Sequence, residues 1–379
     1  MSDEFEVKVV SFEKKNLFRQ NSKLVLDLIG TKITWIPKIY SKNPPVISTL
    51  FDIYQFWRTC ISLIKENEFE LVHCRSYISS LVGFSLKKKY NLRFIFDMRG
   101  FWIDERVEGM LWNLLNPIQL VIFKYFKKKE IEFLLNADHI IVLTDKAKSI
   151  LLKNYKLDEN LISKIPCCVD EELFDYNKID PRQRIELREK LTINPNDFVI
   201  LYLGSLGTWY MLDEMLDFFI LTLVQKPNAK FLFVTNGPTE LIFAKAGEKK
   251  IDLSKIIVTH GNRQKIPLLI SLAQASVFFI RSTFSKQASS PTKLAESLAM
   301  GLPIITNSEV GDMDAFFKAN EVGLTVKSFN DEGYLEALAR IDNLVTIEKV
   351  RIRKAAINYF SLDAGVSKYK DIYRSLCSE

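Results

Sequence analysis

Short apolar runs rich in β-branched and aromatic residues recur along the chain. In the first half they are VKVVSF (7–12), TKITWI (31–36), LVHC (71–74), RFIFDM (93–98), HIIVLT (139–144) and ISKIPCCV (162–169). In the second half they are FVILYLG (198–204), KFLFVTN (230–236), KIIVTHG (255–261), SVFFIRS (276–282), LPIITN (302–307) and GLTV (323–326). Most are continuously apolar rather than alternating, the pattern of strands covered on both faces of a parallel sheet. Stretches of helical period lie between them, among them 213–225, 265–275 and 291–300. This strand–helix alternation predicts doubly wound α/β units. Two such sets predict two Rossmann-like domains. The polar stretch between residues 175 and 196 carries Pro181, Pro195 and a charged helical segment, and it marks the boundary. A last amphipathic helix is expected over 362–376, with Val366, Tyr369, Ile372, Tyr373 and Leu376 on one face.

Composition narrows the class. The chain has 379 residues, 47% hydrophobic and 26% charged, which is the balance of a globular enzyme of two domains. The most apolar stretch, 266–280, is broken by Ser271, Gln274 and Ser276, so no transmembrane helix is expected. The acidic N-terminus (Asp3, Glu4, Glu6) is unlike a signal peptide. Five cysteines without C-x-x-C spacing support neither a disulfide framework nor a zinc site and fit a reducing cytoplasm. Net charge of +6 is weak support for nucleic acid. The lysine clusters 87–89 and 127–129 are either solvated helix ends or contacts for anionic surfaces or phosphates. Residues 114–135 combine apolar positions with Lys124 and the second cluster, as peripheral membrane helices do.

In open α/β sheets ligands bind beyond the carboxyl ends of strands, often at helix N-termini. SPTKLAESLAMGLPIIT (290–306) follows such a strand. Ser290 suits an N-cap, Pro291 the first turn and Gly301 a left-handed C-terminal position. Lys293 and Glu296 share a face, as do Thr292 and Glu296, whereas Leu294 and Leu298 point to a different, buried face. Either this is an ordinary capped amphipathic helix, or its free amides receive a diphosphate while Glu296 accepts hydrogen bonds from a ribose. YLGSLGTWY (202–210) ends another strand. There Gly204 and Gly207 permit close backbone approach and Ser205 can donate a hydrogen bond. It is not a dinucleotide G-x-G-x-x-G motif. Asp312 and Asp314 form a D-x-D, which capping of a helix start explains better than a metal.

The 290–306 segment resembles the signature of the family 4 retaining glycosyltransferases, and YLGSLGTWY resembles the same family's glycine loop. The resemblance implies the GT-B fold: two Rossmann-like domains with parallel sheets facing a central cleft. It places an acceptor-side domain at residues 1–178, a nucleotide-sugar domain at 179–360, and a C-terminal helix at 361–379 crossing back to the first domain. It implies a hexosyltransferase that moves a sugar from a nucleoside diphosphate sugar to a glycan or lipid-linked saccharide, retaining the anomeric configuration. The leaving phosphate itself would act as base, with no cofactor and no essential metal.

Donor-binding positions implied by the resemblance are Gly204, Ser205, Arg263, Arg281, Ser290, Pro291, Thr292, Lys293 and Glu296. Arg263 falls in a loop that would meet the donor base. Catalytic positions are His73, Arg99 and Lys286, and acceptor-side positions are Arg75, Asp97, Asp104 and Glu105, from segments 71–77 and 96–112 that resemble a polysaccharide-building or lipopolysaccharide-building subgroup. Three departures stand out. Ala288 replaces the family's sugar-contacting glutamate, leaving Lys286, Gln287 or Ser289 to take over part of its role. The glycine loop lacks the family's basic pair, for which Arg281 and Lys286 are the substitutes. The family's first strand and its glycine-rich loop are not recognised before residue 7. These departures set up the alternative of a non-catalytic or partner-dependent sugar-nucleotide-binding subunit, with a partner chain supplying the N-terminal loop. The expected location is cytoplasmic, peripheral at the inner face of a membrane.

Overall fold

The computed structural model describes residues 4–15, 18, 32–44 and 46–377. Its strands are β1 (Val7–Glu13), β2 (Ile33–Ile39), β3 (Leu71–Arg75), β4 (Arg93–Asp97), β5 (His139–Val142), β6 (Ile162–Lys164), β7 (Phe198–Leu203), β8 (Ala229–Val234), β9 (Ile256–Thr259), β10 (Ala275–Val277), β11 (Ile304–Asn307) and β12 (Gly323–Val326). Each apolar run of the sequence therefore holds a strand. The chain divides into two compact units, one of residues 1–98, 124–141 and 366–379, the other of residues 99–123 and 142–365.

In the first unit β1 and β2 form a parallel pair in the register Val7↔Ile33. Separately, β3, β4 and β5 lie side by side and parallel, Cys74 opposite Phe96 and Phe96 opposite Ile140. In β4 the side chains of Phe94, Ile95, Phe96 and Asp97 are buried. Phe94, Phe96 and Phe84 all meet Phe133 in edge or near-edge contacts, and Val82, Leu86 and Leu92 pack with Trp57 and Phe56 from the helix Ile47–Glu66.

The second unit carries one six-stranded sheet in the order β12-β11-β10-β7-β8-β9, with every recorded pairing parallel. The order reverses at β7 and β10, where the chain has moved outward on one side through β8 and β9 and returns on the other. Such a switch point opens a crevice at the carboxyl edge. The β7 and β8 side chains from Val199 to Leu203 and Phe231 to Val234 are buried, which explains why these runs are apolar without alternation.

Local departures from the sequence reading have local causes. The run 276–282 is a ladder only to Val277. Beyond it Phe278 donates to the Ile305 carbonyl (3.1 Å) and Ile280 to the Asn307 side chain (2.8 Å), so the backbone stays extended but leaves the strand. The helix expected over 265–275 is only Ile266–Ile270, Pro267 favouring its start and Ser271 closing it through a bond to Leu268 (2.7 Å). The charged stretch at 181–191 is the helix Pro181–Lys190, with Asp180 as a true side-chain cap and Pro181 in the first turn.

Candidate active site

At the switch point of the larger sheet stands the helix Thr292–Ala299. It is buried along nearly its whole length, Lys293 and Glu296 included, so the exposed polar face expected from its periodicity does not exist. Pro291, expected in the first turn, takes the N-cap position, and no side chain caps the helix. Ser290, expected as the cap, instead accepts the Cys167 amide at 3.2 Å. A proline cannot reach back to cap, so the first amides are left for an anion. Gly301 closes the helix in the left-handed conformation (φ 68°) as its sequence position predicts.

Glu296 lies one turn below that start and is 9% exposed. Arg263, from the loop after β9, donates to its Oε1 at 3.1 Å. Burial raises the Glu296 carboxyl above its usual range, with Arg263 and then Lys293 acting against that rise. The Arg263 side chain is 54% exposed and also lies 5.3 Å from the Phe174 ring. Two residues chosen from distant parts of the sequence thus form one ion pair. Arg281, the proposed substitute cation, is exposed, its amide bound to the Trp209 carbonyl at 2.9 Å.

Gly204 follows β7 with φ 118°, a conformation that only glycine adopts readily, and Ser205 is exposed beside it. Lys286 is not a free cation. Its ammonium donates to Glu105 at 2.6 Å and sits 3.7 Å from the Trp209 ring. Glu105 belongs to the helix Trp102–Glu108. Asp104 shares its first turn, and Glu108 of the same helix accepts the Ser285 amide at 3.0 Å. Arg99 (φ 59°) donates to Cys167 Sγ at 3.3 Å. Arg99, Glu105 and Lys286 are accordingly gathered in the larger unit, around the segment that leads into Ser290.

Asp312 does cap a helix, but not the one it begins. Its carboxylate accepts the amides of Asp145 (2.8 Å) and Lys146 (3.2 Å) at the start of the helix Asp145–Asn154, and the Tyr359 hydroxyl at 2.9 Å. Asp314 accepts the Glu309 amide at 2.8 Å.

In the smaller unit β3 and β4 end side by side at Arg75 and Asp97. Arg75 is exposed, whereas Asp97 is buried. His73 is held on several sides: Nδ1 lies 2.6 Å from the Tyr373 hydroxyl, the ring stacks on Tyr369, and Nε2 is 3.6 Å from Asp97. Tyr369 in turn donates to Asp97 at 3.1 Å. Sequence reasoning missed these tyrosine partners, although both were already on the apolar face assigned to the last helix. It also missed the aromatic surroundings of Lys293 and Lys286, which come from a strand and a loop some 80 residues upstream.

Two Rossmann-like units, with a switch-point helix start above a buried carboxylate, define the class of fold that handles nucleotides at the carboxyl edge of a parallel sheet. Family comparison agrees with that class. Residues 2–173 match the model described as Glycosyltransferase Family 4, and residues 183–358 match that of Glycosyl transferases group 1. The chain belongs to the family 4 glycosyltransferases of the GT-B fold. It is 25% identical over 160 residues to the alpha-monoglucosyldiacylglycerol synthase of Acholeplasma laidlawii, a match covering 42% of this chain and 39% of that protein. The fold is similar to that of a glycosyltransferase from Rickettsia africae (TM-score 0.70, 18% identity, 99% of each chain). It is also similar to Anabaena HepE in complex with UDP and glucose (TM-score 0.65, 12% identity, 99% of this chain and 100% of that one).

Proposed function

We propose that this protein transfers a hexose from a nucleoside diphosphate sugar to a glycan or lipid-linked saccharide, with retention of anomeric configuration and without a metal. The observation that carries this reading is the uncapped start of the helix Thr292–Ala299 one turn above the Glu296–Arg263 pair. Amides at that start stabilise the charge that develops on the leaving diphosphate. Glu296 accepts hydrogen bonds from the ribose, and Arg263 orients the carboxylate and borders the base. The complex of the Anabaena protein with UDP and glucose supports a nucleotide donor, and the glucosyl lipid in the name of the Acholeplasma protein supports an acceptor of lipid character. The leaving phosphate serves as base on the same face of the sugar, so no protein nucleophile is needed. Replacing Glu296 with Ala is expected to lower transfer at least 100-fold while the fold persists. Unchanged transfer in that variant overturns the donor-site assignment.

The acceptor side of the proposal includes a membrane surface. Among the described residues no helix is long and apolar enough to cross a membrane. The helix Pro117–Asn136 nevertheless shows an outward stripe of Ile118, Val121, Tyr125, Ile131 and Leu135, interrupted by Lys124 and Lys128. Just before it Met110 and Leu115 are 80% and 91% exposed. Apolar residues facing outward among lysines match the interface of an anionic bilayer, where the rings and aliphatic chains enter and the ammonium groups meet phosphates.

A further inference from the structure

Lys293 is the one lysine, among the described residues, whose ammonium is buried with no hydrogen-bond partner. The residue is 7% exposed. Its Nζ lies 3.6 Å from the Tyr210 ring, 4.2 Å from Tyr202 and 5.6 Å from Phe278. Aromatic faces attract a cation, but they do not replace the water and hydrogen bonds an ammonium gives up on burial. A methionine would fill such a box at less cost, so packing does not explain a lysine here.

The place of the amine does. A Cβ added to Gly204 would sit 2.9 Å from Lys293 Nζ and 3.1 Å from Cε. The glycine after β7 therefore leaves room for the lysine tip, at the carboxyl edge of the sheet and on the helix that offers its uncapped amides. The glycine loop has no basic residue of its own between Gly204 and Met211. Lys286 is bound to Glu105 and Arg281 is exposed. We propose that Lys293 is the positioning cation for the donor's diphosphate, held in store by Tyr202, Tyr210 and Phe278 and drawn past Gly204 when the diphosphate arrives. This rests on the donor site proposed above.

The charged and titratable groups around it support a proton-linked grip. Tyr202 faces the amine from β7 and Tyr210 from the loop, while Glu296 lies on its own helix with Arg263 beyond. Burial pushes Lys293 well below the usual lysine range, and Glu296 only partly opposes it. Burial also keeps both tyrosines protonated, with a contribution from Glu105 at Tyr210. An arriving diphosphate opposes that lowering and raises the amine's affinity for a proton.

Calorimetric titration with inorganic pyrophosphate and with UDP, GDP, ADP and CDP, in buffers of differing ionisation enthalpy, tests this. The wild-type protein is expected to take up protons on diphosphate binding when titrated at several pH values between 7 and 10. Lys293→Met should bind the same ligands at least 30-fold more weakly, with no uptake and a melting temperature no lower than wild type. Gly204→Ala, which occupies the amine's room, should also lose diphosphate affinity. Unaltered affinity or persisting uptake in Lys293→Met overturns the proposal, as does weak binding accompanied by a lowered melting temperature, which marks a structural role. If the wild type binds diphosphates and only Glu296→Ala weakens them, the donor site stands and the Lys293 assignment alone falls. If the wild type binds none, both fall.

Discussion

Glu296 holds a carboxyl out of water with one arginine for company, and the consequence is measurable in two directions. Because burial raises its affinity for a proton, the folded state holds that proton more tightly than the unfolded chain, whose glutamate titrates near 4.3. Stability is therefore complete below the unfolded value and falls as pH rises through the folded one. Glu296→Gln removes that loss, so its melting temperature is expected to exceed wild type at pH 7.5 and to converge with it near pH 4. Transfer should nonetheless fall at least tenfold, since the amide offers the ribose one neutral acceptor in place of a carboxylate. Equal melting temperatures at both pH values would show that Glu296 is not strained by burial. The residue itself was legible in the sequence, because its place in the 290–306 segment is a matter of spacing. Its partner was legible only as a loop position, since nothing in GNR (261–263) says where that arginine points.

Among the elements, the helix Thr292–Ala299 shows what periodicity conveys and what it omits. Its C-terminal end followed from Gly301, but neither its start, where Pro291 rather than Ser290 takes the cap position, nor its burial did, because the aromatic box around Lys293 is assembled from β7, the loop after it and the residue just past β10. The same holds for Asp312, which reads as a cap for the helix following it and in fact serves the helix Asp145–Asn154. A capping box is a local pattern, and a cap from elsewhere in the chain leaves no local trace. Asp312→Ala should lower stability by about 1–3 kcal/mol, as loss of a cap and of a half-buried hydroxyl partner does. Gly301→Ala should cost about 1–2 kcal/mol from its left-handed backbone alone, and more because the new Cβ would meet Lys349 at 2.7 Å. Chemical denaturation of both variants checks these values. A neutral Gly301→Ala would contradict the helix terminus described here.

For the whole molecule, the strand pattern made the α/β class plain, since each apolar run of the sequence holds a strand. Less legible was the grouping of segments. Residues 99–123 follow β4 directly, yet they pack in the larger unit, with Glu105 on Lys286 and Glu108 on Ser285. These bonds join positions some 180 residues apart, which no spacing rule anticipates. The outward apolar stripe on Pro117–Asn136 is likewise visible only once the buried Phe126 and Phe133 fix which side faces inward. Binding to vesicles of anionic phospholipid is expected at low salt and should weaken several-fold when salt is raised to 0.5 M. Lys124→Glu with Lys128→Glu should abolish it, and Ile118→Ser with Val121→Ser should weaken it at every salt concentration. Sedimentation with vesicles reads both, and equal binding by all variants would remove the membrane surface from the account.

The proposed function stands on a nucleotide-sugar site at the start of the helix Thr292–Ala299. Its most direct test is the melting temperature of the wild-type protein and Glu296→Ala against a panel of nucleoside diphosphates and their sugar conjugates. A selective, saturable rise for one base is expected in the wild type, lost or greatly reduced in the variant. No rise with any nucleotide, or the same rise in both proteins, would contradict it.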